Sequence, residues 1–155
     1  PSDDSDEALI YSLGQKAKTV FEELIIDKSR ISQYELITSE TFTSYGVCQF
    51  SFVKSINGFN TNDTLSIAID RDGKIKSYTG SRQGIFDNLT VNADRSDIEK
   101  FIDEKVNSRY KNQTVKYNVN SMTIDKKKNK FYIRCFVGVE TEEYITGDEY
   151  EYRLK

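Results

Sequence analysis

Apolar side chains recur at spacings of three and four residues in two stretches of the chain, about 6–26 and about 94–111. This spacing places them on one face of an α-helix, so each stretch is predicted to be an amphipathic helix. Asp94 is the candidate N-cap of the second helix, and Ser5 or Asp3 can cap the first. The two apolar stripes are Leu9, Leu13, Ala17, Val20, Phe21, Leu24 and Ile25, then Ile98, Phe101, Ile102, Val106 and Tyr110.

Outside these helices the apolar period changes to two, which is typical of half-buried β-strands. An Asp-Gly step at Asp72-Gly73 lies between two such stretches and predicts a hairpin turn over Asp70–Lys74, because both residues tolerate positive φ. A second polar turn is predicted at 125–130. The predicted strands lie near 34–41, 48–56, 65–69, 75–79, 115–124, 131–139 and 149–154.

A shift of 85 residues superimposes the pattern of the first half on the second without a gap. The helix stripes and the alternating faces of two strands stay in phase together, which indicates an internal repeat. The aligned pairs are Leu13 with Ile98, Ala17 with Ile102, Phe21 with Val106, Ile25 with Tyr110, Cys48 with Ile133, Phe50 with Cys135, Phe52 with Val137, Thr61 with Thr146, Asp63 with Asp148, Leu65 with Tyr150, Ile67 with Tyr152, and Ile69 with Leu154.

The pattern predicts an α+β fold made of two tandem units, each with one helix laid across an antiparallel sheet. One such unit buries little surface by itself, so two units that pack together or share one sheet are expected. The expected organisation is a polar N-terminal tail at 1–5, a first repeat at 6–80, a linker at 81–93 and a second repeat at 94–155. In the linker, Ile85, Phe86 and Leu89 are expected to tuck under the sheet.

Composition excludes several classes of function. The chain has 155 residues, a formal net charge of −3 and no histidine. The acidic balance argues against a nucleic-acid partner. No apolar run reaches the ~18 residues that a membrane span needs. Without histidine, a Ser-His-Asp triad and a His-ligated zinc are impossible. No cofactor, metal site or catalytic residue is predicted.

Two cysteines, Cys48 and Cys135, lie inside apolar strand-like runs. We expect two buried free thiols that pack as small hydrophobic side chains. A disulfide is the alternative, and the spacing in sequence cannot place their Cα atoms within bridging range. A catalytic cysteine is disfavoured because no histidine is present to activate it.

Three charged motifs are interpreted as surface structure. Asp70, Asp72 and Gly73 resemble the start of a calcium loop, but position 12 would be Ser81 instead of a bidentate glutamate. The basic run 126–128 is expected to be a solvent-facing turn. The acidic cluster is expected to lie on a solvated hairpin, although it could bind a cation or a basic partner; it comprises Glu140, Glu142, Glu143, Asp148, Glu149 and Glu151.

The segment 57–63 is interpreted as a polar loop that carries an exposed aromatic side chain. Loops on a rigid sheet often hold recognition residues. The candidate partner-binding residues are therefore Asn57, Phe59, Asn60 and Asp63, and a plain connecting loop is the alternative.

The stretch from Phe50 to Tyr78 resembles PepSY-type and related YcdB-like domains. It has an aromatic strand, a polar connection containing Gly58, an apolar strand that ends at Asp70, and a hairpin of the form DG-x-I-x-S-Y. The resemblance is clearest over 45–79 and weaker in the C-terminal half. It implies a PepSY-like, cystatin-like fold, a bacterial cell-envelope or secreted setting, and a non-enzymatic role. In propeptides of thermolysin-type proteases, similar modules inhibit and chaperone the protease.

The expected function is a non-catalytic extracytoplasmic binding module that modulates a protease or associates with the envelope. Its partner would be a protein or a cell-envelope component, bound by a chain secreted or anchored through a segment outside this sequence. The alternative is a small-ligand carrier or a small α+β enzyme with a pocket between helix and sheet. Lacking histidine, that enzyme would need a carboxylate beside a tyrosine or lysine in an enclosed cavity. A purely structural part of a larger envelope protein is the third hypothesis.

Overall fold

The computed structural model describes residues 4–81 and 84–155. These residues form two α-helices and seven β-strands, with a short 3-10 helix at Lys28–Gln33. The elements confirm the predicted α+β class. Their bounds are α1 Asp4–Leu24, β1 Tyr34–Thr38, β2 Val47–Ile56, β3 Phe59–Asp70, β4 Ile75–Gly80, α2 Arg95–Arg109, β5 Val115–Lys127, β6 Lys130–Thr141 and β7 Ile145–Arg153.

The strands are hydrogen-bonded in the order β1-β2-β3-β5-β6-β7, and β4 pairs with β3. The β1–β2, β3–β4, β5–β6 and β6–β7 pairs are antiparallel, as the short connections require. The pairing of β3 with β5 is parallel and short, joining Asn60 to Thr123 and Thr61 to Ile124. The sheet is therefore mixed, which the sequence pattern did not indicate.

The chain forms two compact units. The first contains Pro1–Ser55 and Asp63–Asp87, and the second contains Ile56–Asn62 and Asn88–Lys155. The segment 56–62, assigned by sequence to the first repeat, thus groups with the second unit. It forms the tip of the β2–β3 hairpin.

In the first unit, the apolar stripe of α1 packs on β2 and β3. Phe21 stacks on Phe52 with ring centroids 4.2 Å apart, and the edge of the Tyr34 ring meets Phe21 at 5.2 Å. Gly14 lies on the same buried face, where a Cβ atom would be 3.4 Å from the Phe50 ring. That distance is an ordinary van der Waals contact, so the packing does not demand glycine at this position, where glycine costs about 1 kcal/mol relative to alanine.

In the second unit, α2 buries Ile98, Ile102 and Val106, as predicted. Its N-terminus has a capping box: the Asp94 side chain accepts from the backbone of Asp97, and the Asp97 side chain accepts from that of Asp94. Such a cap satisfies backbone donors that the helix leaves unpaired, which confirms Asp94 as the N-cap.

Two of the hairpin turns consist of two residues with positive φ. They are Asn57-Gly58, with φ of 50° and 83°, and Lys128-Asn129, with φ of 50° and 63°. This geometry matches the twist of the flanking strands. The predicted turn before β4 is also present, because the Gly73 amide donates to the Asp70 carbonyl at 3.0 Å and Gly73 has φ of 84°.

Most positions aligned by the 85-residue shift are buried in both units. The four helix pairs and the three pairs of β2 with β6 are all buried. Helix α1 precedes β1–β4 and helix α2 precedes β5–β7, so among the described strands β4 has no counterpart in the second unit. The repeated pattern thus corresponds to repeated core positions.

The termini of the predicted elements differ in small ways. Helix α1 begins at Asp4, so its first residues lie within the predicted polar tail 1–5, and Ser5 lies inside the helix. The other candidate cap, Asp3, is outside the described residues. In the linker 81–93, Phe86 is buried as predicted, whereas Ile85 is exposed.

Candidate functional site

The predicted recognition loop 57–63 is a tight turn followed by strand β3, so the prediction of a loop is wrong. Asn57-Gly58 alone reverses the chain, and β3 begins at Phe59. Phe59 is 3% exposed and Asp63 is 1% exposed, because both point to the buried face of β3. The many polar residues in 57–63 concealed the alternation of buried and less buried positions that marks the strand. Neither side chain is accessible to a partner.

The other two candidate residues are engaged within the second unit. The side-chain amide of Asn57 donates to the carbonyls of Val91 and Ala93 at 3.1 and 3.0 Å. Asn60 takes part in the parallel pairing with β5. Asn57 therefore anchors the segment that leads into α2, a structural role.

Asp63 lies at the centre of a buried polar contact in the first unit. Its Oδ1 accepts a hydrogen bond from the Tyr34 hydroxyl at 2.8 Å, and its Oδ2 accepts one from the Gly84 amide at 3.3 Å. Burial, together with the hydrogen bond to Asp63, raises the pKa of Tyr34. The phenol therefore remains a hydrogen-bond donor.

A charged cluster lies in the same unit. The ammonium of Lys54, a buried side chain, is 2.9 Å from Asp87 Oδ1. The Arg30 guanidinium pairs with the other oxygen of Asp87 and, at 3.3 Å, with Asp27. Lys54 is on the same face of β2 as Phe50 and Phe52, so its charge requires a partner. Asp87 supplies that partner from the linker.

Asp148 has the corresponding place in the second unit. It is 6% exposed, and its Oδ2 accepts hydrogen bonds from the hydroxyls of Tyr110 at 2.6 Å and Tyr150 at 3.0 Å. Arg109 reaches its other oxygen at 3.5 Å. The hydrogen bond to Asp148 and burial raise the pKa of Tyr110 to about 12. The acidic cluster is therefore not wholly solvated, because Asp148 is internal.

These contacts decide what the two carboxylates can do chemically. Each lies beside a tyrosine, which is part of what the enzyme alternative requires, but both carboxylates are buried instead of lining a cavity wall that a substrate could reach. The raised tyrosine pKa values keep the phenols protonated, so each phenol acts as a hydrogen-bond donor to its carboxylate. The buried groups thus satisfy each other, which is the pattern of a structural hydrogen bond.

The outer face of β5–β7 carries a third cluster. Arg134 donates to Glu149 Oε1 at 2.6 and 2.9 Å and to Asp125 Oδ2 at 3.0 Å. Its guanidinium also lies 5.5 Å from the centroid of the Phe136 ring. The neighbouring basic run 126–128 is exposed and leads into the turn Lys128-Asn129, as predicted. Arg134 of β6 is half-buried and contacts Asp125 of β5 and Glu149 of β7. The cluster therefore connects three neighbouring strands at the surface.

An open groove of about 630 Å³ runs between α1 and β1 in the first unit. Ile10, Gly14 and Leu36 form its apolar floor. Tyr11, 73% exposed, stands on its helix side. The full lining is Glu7, Ile10, Tyr11, Gly14, Gln15, Leu36, Thr38, Ser39 and Glu40. The groove thus combines apolar side chains with two carboxylates, Glu7 and Glu40.

Sequence reasoning named none of the residues of this groove: the alternative hypothesis expected an enclosed pocket between helix and sheet, whereas the groove is open. The partners of the buried carboxylates were also missed. The alignment of Asp63 with Asp148 was a usable signal, since both follow the alternation of buried positions. Lys54 continues the alternation of Phe50 and Phe52, which signals a lysine on a core face. The groove has no such signal, because it depends on how α1 packs beside β1.

Within residues 4–81 and 84–155, no group of three or more Cys, Asp or Glu side chains is arranged to hold a metal ion. Among the same residues, no helix has the length and apolar character needed to cross a membrane. Both cysteines are free and buried, as predicted. No family model matches the chain, and no curated protein or solved structure shows significant similarity to it.

Proposed function

We infer that the protein is a non-catalytic binding module that acts outside the cytoplasm on a protein or envelope component. The observation that carries this function is the open groove between α1 and β1, where Tyr11 is exposed beside an apolar floor. Exposed aromatic side chains next to apolar surface are frequent in protein interfaces. The resemblance of 45–79 to PepSY-type domains supports the same class and an extracytoplasmic setting.

The buried clusters support a non-catalytic role. Asp63 and Asp148 are buried, and each accepts a hydrogen bond from a tyrosine hydroxyl, so neither carboxylate is open to a substrate. Lys54 and Asp87 form a buried ion pair. These buried titratable groups thus stabilise the fold, and a partner would contact surface residues instead.

Photo-crosslinking tests the binding function. A benzophenone analogue of phenylalanine replaces Tyr11 in one variant and Tyr45, which is 92% exposed, in a matched variant. Each is irradiated with the exported proteins and envelope fraction of the source organism. We expect Tyr11 to yield a discrete adduct that excess unlabelled protein abolishes. Absence of any competable adduct from both positions would overturn the binding function.

A further inference from the structure

Strand β1 ends the ladder of the described strands. It pairs with β2 on one side, and no strand in residues 4–81 and 84–155 pairs with its other side. An edge strand presents unpaired amide and carbonyl groups that can accept another strand. Ile37, on the face of β1 away from α1, is 46% exposed. The edge therefore offers both backbone groups and an apolar contact.

The groove lies beside this edge, on the face that β1 turns towards α1. Leu36 and Thr38 line it, whereas Ile37 points to the opposite face. Successive side chains of an added strand would alternate in the same way. Every second side chain of such a strand would enter the groove, and those in between would pack near Ile37.

The lining of the groove selects the side chains that fit. Its floor is apolar at Ile10, Gly14 and Leu36, and the charged residues of its lining are Glu7 and Glu40. A lysine or arginine suits this combination, since its aliphatic stem covers apolar surface while its charged head reaches a carboxylate. Arginine or lysine thus fits the groove, and an apolar side chain fits the face of Ile37.

We propose that β1 and the adjacent groove bind an extended peptide segment as an additional strand, with lysine or arginine at every second position and apolar residues between. The basic side chains enter the groove and pair with Glu7 and Glu40, while the backbone pairs with β1. Strand addition of this kind draws affinity from main-chain hydrogen bonds and specificity from alternate side chains. This mode of recognition rests on the binding function proposed above and names the partner's chemistry.

The test uses the full chain and a capped peptide that alternates lysine and valine. Binding is measured by fluorescence anisotropy, and protection of the β1 amides by hydrogen exchange. We expect saturable binding that protects β1. Replacing Glu7→Gln and Glu40→Gln together should weaken binding by roughly tenfold. The pair Glu22→Gln and Glu23→Gln, on the same helix outside the groove, carries the same change in net charge and should have no such effect.

Two control peptides sharpen the result. One has the same composition with lysines and valines in separate blocks, and the other has glutamate in place of lysine; both should bind at least roughly tenfold more weakly. Equal binding of the block peptide, unprotected β1 amides, or equal loss in both charge variants would overturn the proposal. A dimer whose β1 amides are protected without peptide would also overturn it, because a second copy would occupy the edge. A competable crosslink with no peptide binding would leave the binding function standing and remove only this groove assignment.

Discussion

Asp63 and Asp148 are buried carboxylates 85 residues apart in the chain, and each accepts a hydrogen bond from a tyrosine hydroxyl. The tyrosines do not follow the same offset. Tyr34 aligns with Val119, and Tyr110 aligns with Ile25. The two units thus keep the acidic position of the repeated pattern and reach the same contact from different elements. A buried carboxylate needs a hydrogen-bond donor, and a tyrosine from either element can supply it.

The contact between Tyr110 and Asp148 should make stability depend on alkaline pH. Folding raises the pKa of Tyr110 from its ordinary 10.0 to about 12. A raised pKa favours the protonated phenol in the folded state, so its contribution is complete below pH 10 and is lost as the pH rises towards 12. Tyr110→Phe should lower stability by about 1–2 kcal/mol at neutral pH and flatten the decline above it.

Urea unfolding at a series of pH values measures both effects. Tyr45→Phe is the control, because Tyr45 is exposed. It should leave the stability at neutral pH and the alkaline decline unchanged. A Tyr110→Phe variant that declines as steeply as the parent between pH 10 and about pH 12 would contradict the linkage.

The two carboxylates that pair with Arg30 should differ in their importance. Asp87 also pairs with the buried Lys54, whereas Asp27 is half-exposed. Asp87→Asn should cost about 2–3 kcal/mol, because it leaves a buried charge poorly compensated. Asp27→Asn should cost clearly less, since an exposed ion pair contributes little and asparagine caps the following 3-10 helix equally well. Equal losses in thermal unfolding would refute this ranking.

Asn57 combines a left-handed turn conformation with two side-chain hydrogen bonds, and two substitutions separate them. Asn57→Gly keeps the turn and removes the hydrogen bonds, for an expected loss of about 1–3 kcal/mol. Asn57→Ala adds backbone strain and should lose roughly 1 kcal/mol more. At Lys128, with φ of 50°, Lys128→Gly should instead be neutral or stabilising. Chemical denaturation compares the three variants, and equal stability of the two Asn57 variants would exclude the strain component.

The cysteines should behave as two unreactive thiols. Both are buried and free, and burial raises the pKa of Cys135 to about 11. Thiol counting without reductant should give two groups in the unfolded protein and slow labelling in the folded one. Replacing either with alanine should cost about 1–2 kcal/mol, the penalty of a small core truncation. Recovery of no thiols in the unfolded protein would show a disulfide instead.

The elements were predictable where local physics determines them. The stripe of Ile98, Ile102 and Val106 has helical period, and Asp94 supplies a cap within the same few residues. The Asn57-Gly58 step also carries a strong local hairpin signal. Because most of the residues that follow it are polar, the segment is interpreted as a loop from its sequence. Phe59, Thr61 and Asp63 nevertheless occupy every second position and are buried, as in a strand.

The candidate groove and the parallel strand pair could not be predicted in the same way. The contact of Asn60 with Thr123 joins distant parts of the chain, and no local pattern specifies it. The groove lies between α1 and β1, and Gly14 and Leu36 from these two elements line it. Such features depend on tertiary packing. The hydrophobic period shows which face of an element is buried, but it does not show which other element covers that face.

The assignment of residues 56–62 to the second unit has a consequence for protein synthesis. The ribosome releases this segment before any of the residues 88–155 with which it groups. The second unit therefore cannot complete its sheet from its own late-emerging sequence, and it must recruit a hairpin tip made earlier. A truncated chain that starts at residue 88 would lack the carboxamide of Asn57 and would lack Asn60, which pairs with Thr123. The edge of β5 would then be available for aggregation.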